Sequence, residues 1–87
     1  MYELYLTDQF KRDYRSLTQT EQQAIKRALE RMKNDLRYPG LRVKKMQGRD
    51  EVWEARASRE LRITFMFEKS DVLILRSCGH HDQALRG

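Results

Sequence analysis

The sequence predicts an α+β fold of order β-α-α-β-β-β-β, with an antiparallel C-terminal sheet and a helical hairpin packed on one of its faces. Three observations predict it. Between Phe10 and Leu36 apolar residues recur at helical spacing. After Tyr38-Pro39-Gly40 the pattern changes to alternation. Two polar turns, 48–51 and 69–71, then cut the second half into strand-length pieces. The apolar stripe of the helices has nowhere to go but onto one face of the sheet.

Taken in order, residues 2–7 (YELYLT) are a short run of strand formers, and Thr7 or Asp8 can cap the helix that follows. Phe10, Tyr14 and Leu17 stand at i, i+4 and i+7 on one helical face. Thr18-Gln19-Thr20-Glu21 has the form of a capping box, in which hydroxyl and carboxylate each satisfy a backbone N–H of the first turn. The helix it opens carries Ala24, Ile25, Ala28, Leu29, Met32 and Leu36 on one stripe. Pro39 and Gly40 stop it. Strands are then expected over 41–46 (LRVKKM), over 52–57, where Trp53, Ala55 and Ala57 alternate with Glu54 and Arg56, and from Leu61 to Glu68. Residues 72–75 (VLIL) are apolar on both faces, as in a covered strand. The face without helices would show Arg56 and Arg62, with Lys44, Lys45 and Arg76.

A chain of 87 residues is read as one domain, 1–87, with no repeats or linkers. Charged residues make up 36% of it and the mean hydropathy is −0.89, yet the apolar residues are clustered, which argues for a folded chain. A single cysteine excludes an internal disulfide, and no apolar run is long enough to span a bilayer, so a soluble cytoplasmic protein without membrane contact is expected. The net charge of +5 and pI near 9.7 favour an anionic partner. From Arg37 to Arg62 there are eight basic residues (Arg37, Arg42, Lys44, Lys45, Arg49, Arg56, Arg59, Arg62) against Asp50, Glu51, Glu54 and Glu60, whereas the first 36 residues nearly balance.

Both histidines fall in the closing stretch RSCGHHDQALRG, beside Cys78 and Asp82. Adjacent residues of an extended chain point to opposite sides, so His80 and His81 are poorly placed to share an ion, and no metal site and no cofactor are expected. Cys78 reads as a small core residue rather than a nucleophile. Arginines on neighbouring strands suit phosphate, because guanidinium gives bidentate hydrogen bonds and stays charged. A nearby histidine would add a group that gives or takes a proton near neutrality. Such a set suits RNA cleavage, in which the 2′-hydroxyl attacks its own adjacent phosphate, and it equally suits simple nucleic-acid binding.

The ordered set Pro39-Gly40-Leu41, Lys44-Lys45-Met46-x-Gly48, Val52-Trp53-Glu54-x-Arg56, Leu61-Arg62-Ile63-x-Phe65 and Gly79-His80-His81-Asp82 resembles the RelE/ParE-family toxins of bacterial type II toxin–antitoxin pairs. The resemblance implies a RelE-like mRNA interferase: a metal-free endoribonuclease that cuts mRNA in the A site of the 70S ribosome. It implies neutralisation by a cognate antitoxin with an acidic or mixed-charge segment, and contact with operator DNA only through that antitoxin. In catalytic positions it places Arg62, as the phosphate-stabilising arginine, with Arg56, His81 and His80. In substrate contact it places Lys44 and Lys45, to which the basic face adds Arg59 and Arg76. Glu54 and Asp82 are the candidates for a general base or an orienting carboxylate. The sequence departs from the pattern at Leu61 and Leu85, where tyrosine is common. Two other readings of the same resemblance are a ParE-like gyrase poison, which needs no acid–base group, and a degenerate toxin acting only as antitoxin co-repressor.

Overall fold

The computed structural model describes residues 1–80. They form β1 (Glu3–Leu6), α1 (Asp8–Arg15), α2 (Gln19–Asn34), a 3-10 turn at Pro39–Leu41, β2 (Lys44–Lys45), β3 (Trp53–Arg56), β4 (Leu61–Lys69) and β5 (Val72–His80). The five strands make one sheet in the order β1-β5-β4-β3-β2. β2 to β5 run antiparallel to their neighbours, and β1 lies parallel to β5 at the edge.

Both helix starts follow the capping chemistry written in the sequence. The Thr7 hydroxyl accepts from the Phe10 N–H at 3.2 Å and donates to the Leu75 carbonyl at 2.8 Å, so one residue ends β1, caps α1 and ties both to β5. At α2 the Glu21 N–H donates to the Thr18 hydroxyl and the Thr18 N–H donates to Glu21 Oε1, the complete capping box. Phe10, Ile25, Ala28 and Met32 from the helices pack against Ala55, Ile63, Phe65, Leu73 and Leu75 from the sheet. All are essentially buried, which makes one continuous core.

Because side chains alternate along a strand, the register assigns every strand residue to a face. Trp53, Phe65 and Leu75 share a row, and with Ala55, Ile63 and Leu73 they face the helices. The opposite, helix-free face is built of cross-strand rows. Lys44, Glu54, Thr64 and Ser77 form the middle one; Arg56, Arg62 and Gly79 lie to one side; Tyr5, Ile74 and Met66 lie to the other. The middle row is polar yet covered: Glu54, Thr64 and Ser77 are buried, and the two hydroxyls are hydrogen-bonded to each other.

Three sequence expectations need correction. The strand expected over 41–46 is only Lys44–Lys45, because Pro39 starts a 3-10 turn, Leu41 is drawn into the core and Arg42 takes a left-handed conformation (φ 46°, ψ 48°). The second is Gly79, expected to let the chain turn after Cys78: the last strand instead runs through it to His80. That strand takes a bulge at Arg76, which the ladder skips between Leu75↔Phe65 and Ser77↔Thr64, and then pairs on to its end. Gly79 therefore lies opposite Arg62. Lys45 is the third: it pairs with Trp53, so the alternation sets it on the helix side, away from Lys44.

Candidate nucleic-acid interface

The arginines at the end of the helix-free face are held by their own hairpin. Arg56 and Arg62 are direct partners across β3 and β4, so both side chains leave the sheet on one side. The loop joining the strands offers its carbonyls to them. Arg56 Nε donates to the Ser58 carbonyl at 3.2 Å, and Arg62 Nη1 donates to the same oxygen at 3.1 Å. Arg62 Nη1 also reaches the carbonyls of Arg59 at 3.3 Å and Leu61 at 3.1 Å. A guanidinium has five N–H donors, and the Nη2 pair of Arg62 has no part in this clasp. Burial, then the like charges of Arg42, Arg62 and Arg59, press the Arg56 guanidinium below its ordinary pKa, though it stays protonated. Four cations thus crowd one end of the face, an arrangement that a bound anion relieves.

Glu54 stands in the neighbouring row. Its side chain is only 5% exposed, with Oε1 3.4 Å from Nζ of Lys44, which is 69% exposed. Its other oxygen is buried without a hydrogen-bond partner. The sequence offers Glu54 as a general base or an orienting carboxylate; the cross-strand register joins it to Lys44.

The remaining candidates are dispersed. His80 pairs with Leu61, a core residue, and its Nε2 lies 2.8 Å from Glu21 Oε2 on the first turn of α2. It faces the helices, so the expectation of His80 beside the arginines is corrected by the parity of β5. The Thr18 N–H above all, then the Thr18 hydroxyl and His80, hold the Glu21 carboxylate below its ordinary pKa. Arg76 lies in the bulge; burial first, then the charge of Arg49, lowers its pKa. Arg59 sits in the loop that the two arginines clasp, and Lys45 is exposed on the other side of the sheet. His81, Asp82 and Leu85 lie outside the described residues. Arg42 entered the sequence reading only as one of the eight basic residues between Arg37 and Arg62. Strand alternation does not place it, because it stands in a left-handed conformation ahead of β2.

A second, polar cleft of about 470 Å³ runs between α1 and the edge of β5, lined by Thr7, Gln9, Asp13, Ser16, Arg76 and Cys78 among others. Asp13 accepts there from Gln9 Nε2 at 2.7 Å and from the Cys78 N–H at 3.3 Å. Burial, aided by the Asp13 charge, pushes the Cys78 thiol up to about 12 from an ordinary 9.0, so it is an inert neutral thiol at physiological pH. A group whose pKa is raised on folding stabilises fully below its unfolded value and loses that contribution as pH rises. Urea midpoints should therefore fall between pH 9 and 12 more steeply for the native chain than for Cys78→Ala; equal slopes would contradict this burial. Among the described residues no cluster of three or more His, Cys, Asp or Glu is arranged for a metal ion, and no helix is long and apolar enough to cross a membrane.

Two helices on one face of a five-stranded mixed sheet, with the first strand parallel to the last, is the fold of the RelE- and YafQ-type toxins. The chain superposes on YafQ from Escherichia coli BL21(DE3) with a TM-score of 0.77 at 15% identity, over 100% of both chains. Against the E. coli DinJ–YafQ toxin–antitoxin complex the TM-score is 0.77 at 14% identity, covering 94% of each chain. Against the RelB–RelE antitoxin–toxin complex from Methanococcus jannaschii it is 0.73 at 18% identity, covering 94% of this chain and 95% of that one. No protein-family model matches the sequence, and no curated protein matches it. At these identities the likeness is one of fold.

Proposed function

We propose that this chain is the toxin of a type II toxin–antitoxin pair and acts as a ribosome-dependent endoribonuclease on mRNA. The observation that carries the proposal is the paired Arg56 and Arg62, locked on one side of the sheet by the Ser58 carbonyl, with Arg42 and Arg59 beside them. Fixed guanidinium groups of this kind stabilise a phosphate as charge builds on its oxygens. In the reaction the 2′-oxygen of a ribose bonds to its adjacent phosphorus and the bond from phosphorus to the 5′-oxygen breaks. The products are a 2′,3′-cyclic phosphate and a 5′-hydroxyl. The 2′ proton passes to a base on the protein, for which Glu54 and His81 are the candidates, and the leaving oxygen takes up a proton. The likeness to toxins solved with DinJ and RelB supports an antitoxin partner, and the charge of +5 suits an acidic segment of it.

One observation favours the gyrase-poison reading: His80 is turned to Glu21, which removes an acid–base group from the arginine end. Primer extension on mRNA from cells arrested by the toxin, beside a supercoiling assay with purified gyrase, separates the two. Cleavage within codons with normal supercoiling is expected. Intact mRNA with blocked supercoiling would replace the nuclease by the poison.

A further inference from the structure

The helix-free face is graded along its strands. Arginines hold one end, the polar row crosses the middle, and beyond it Tyr5, Ile74 and Met66 make an apolar row on three adjacent strands, β1, β5 and β4. Tyr5 is 64% exposed, and Ile74 and Met66 are half-buried beneath the same surface. The rest of β1 explains itself differently. Leu4 packs against the core and Leu6 lines an apolar groove with Phe10, Tyr14 and Leu29, both on the helix side. Among the described strand residues Tyr5 alone presents an aromatic ring on the arginines' face, and it is not among the residues packed on the core. Glu3, the next residue of β1 on that face, bounds the row on the side away from the arginines.

We infer that Tyr5, with Ile74 and Met66 as its floor, is a stacking platform for a base of the same RNA strand whose phosphate lies on Arg56 and Arg62. The inference rests on the reading of this face as an RNA surface. Single-stranded RNA is bound by a charged track for its backbone and by aromatic rings on a sheet face for its unstacked bases. Both parts occur here on one face. Two strands across and four residues along the sheet separate Arg62 from Tyr5 by roughly 16 Å. The base on the platform is thus a neighbour of the cleaved linkage, not the base at the cut. A ring stacks on any base, so the platform adds affinity and positioning with little sequence preference.

Single-turnover cleavage on ribosomes programmed with a short mRNA tests this. Tyr5→Ala should raise the toxin concentration needed for half-maximal rate about 5- to 150-fold, the usual worth of one stacked base, with the saturating rate retained. Tyr5→Phe should behave like the native chain. An abasic nucleotide at one position flanking the cut should cost the native chain the same factor and cost Tyr5→Ala nothing more, because both remove one interaction. If the native chain cleaves and Tyr5→Ala matches it, the platform is wrong while the nuclease reading stands. If Tyr5→Ala cleaves normally but escapes neutralisation by the antitoxin, the row is a protein contact. Absence of cleavage by the native chain removes both readings.

Discussion

Arg62→Ala is expected to lower the single-turnover rate of mRNA cleavage about 100- to 1,000-fold, the range seen when one fixed donor to a developing oxyanion is removed. The saturating rate should carry the loss, since the interaction grows as charge accumulates on the phosphate. The size follows from how the side chain is held. Nη1 is spent on three carbonyls of the 58–61 turn, which fixes the guanidinium plane and leaves the Nη2 donors to a ligand. Arg62→Lys should recover little, because one ammonium on a flexible stem cannot clasp the turn and also meet a phosphate. The loop loses hydrogen bonds in both variants, at about 1 kcal/mol each, so the fold should persist. Circular dichroism and antitoxin binding would show that it has. If cleavage and growth arrest survive in Arg62→Ala, the arginine end of the face is not the reaction centre.

The order of elements was legible because each rests on local chemistry. The capping residues Thr7 and Thr18 and the alternation from Leu61 to Phe67 act over a few residues, and the structure uses all of them. By contrast, α2 ends at Asn34, before Leu36, and Pro39 opens a separate 3-10 turn instead of stopping the helix. What escaped the sequence depends on partners distant in the chain. The parallel seat of β1 beside β5 is a pairing across nearly seventy residues. The bulge at Arg76 is one skipped residue, and it sets which later side chains share a face with Arg62. A period-two count from Leu75 without the bulge would put Ser77 among the core residues; with it, Ser77 joins Thr64 on the helix-free face. The same dependence turned His80 toward Glu21, a residue on α2 that no local pattern couples to it. At the candidate site, Arg56 and Arg62 were readable because a short hairpin makes them neighbours. Arg42 was not, because it is itself the left-handed residue that ends a 3-10 turn, which brings its charge to bear on Arg56.

Phe65→Ala should be the most destabilising single truncation on β4, at about 3–5 kcal/mol against the roughly 5–15 kcal/mol that holds a domain together. Alternation alone gives Phe65 and Phe67 equal standing, but the structure separates them. Phe65 is fully buried between the helices and the sheet, whereas Phe67 is 40% exposed near the strand's end. Phe67 there meets the edges of Trp53 and Phe65 at 5.7 Å between ring centroids. Phe67→Ala removes an aromatic contact worth about 0.5–1.5 kcal/mol plus a part of the ring's burial, and leaves no closed cavity. At about 4–8 °C per kcal/mol for a chain of this size, Phe65→Ala should melt at least about 12 °C lower than the native protein, with Phe67→Ala between them. Urea unfolding should show the same order in midpoint at unchanged slope. Phe65 lies three residues from Arg62 on the same strand but on the opposite face. Its truncation should therefore reduce cleavage only in proportion to the unfolded fraction and leave the rate per folded molecule intact. Arg62→Ala should do the reverse, keeping the fold and losing the rate. Equal loss per folded molecule in both variants would mean that the two faces of β4 are not independent, and that the arginine row depends on core packing as well as on the turn that clasps it.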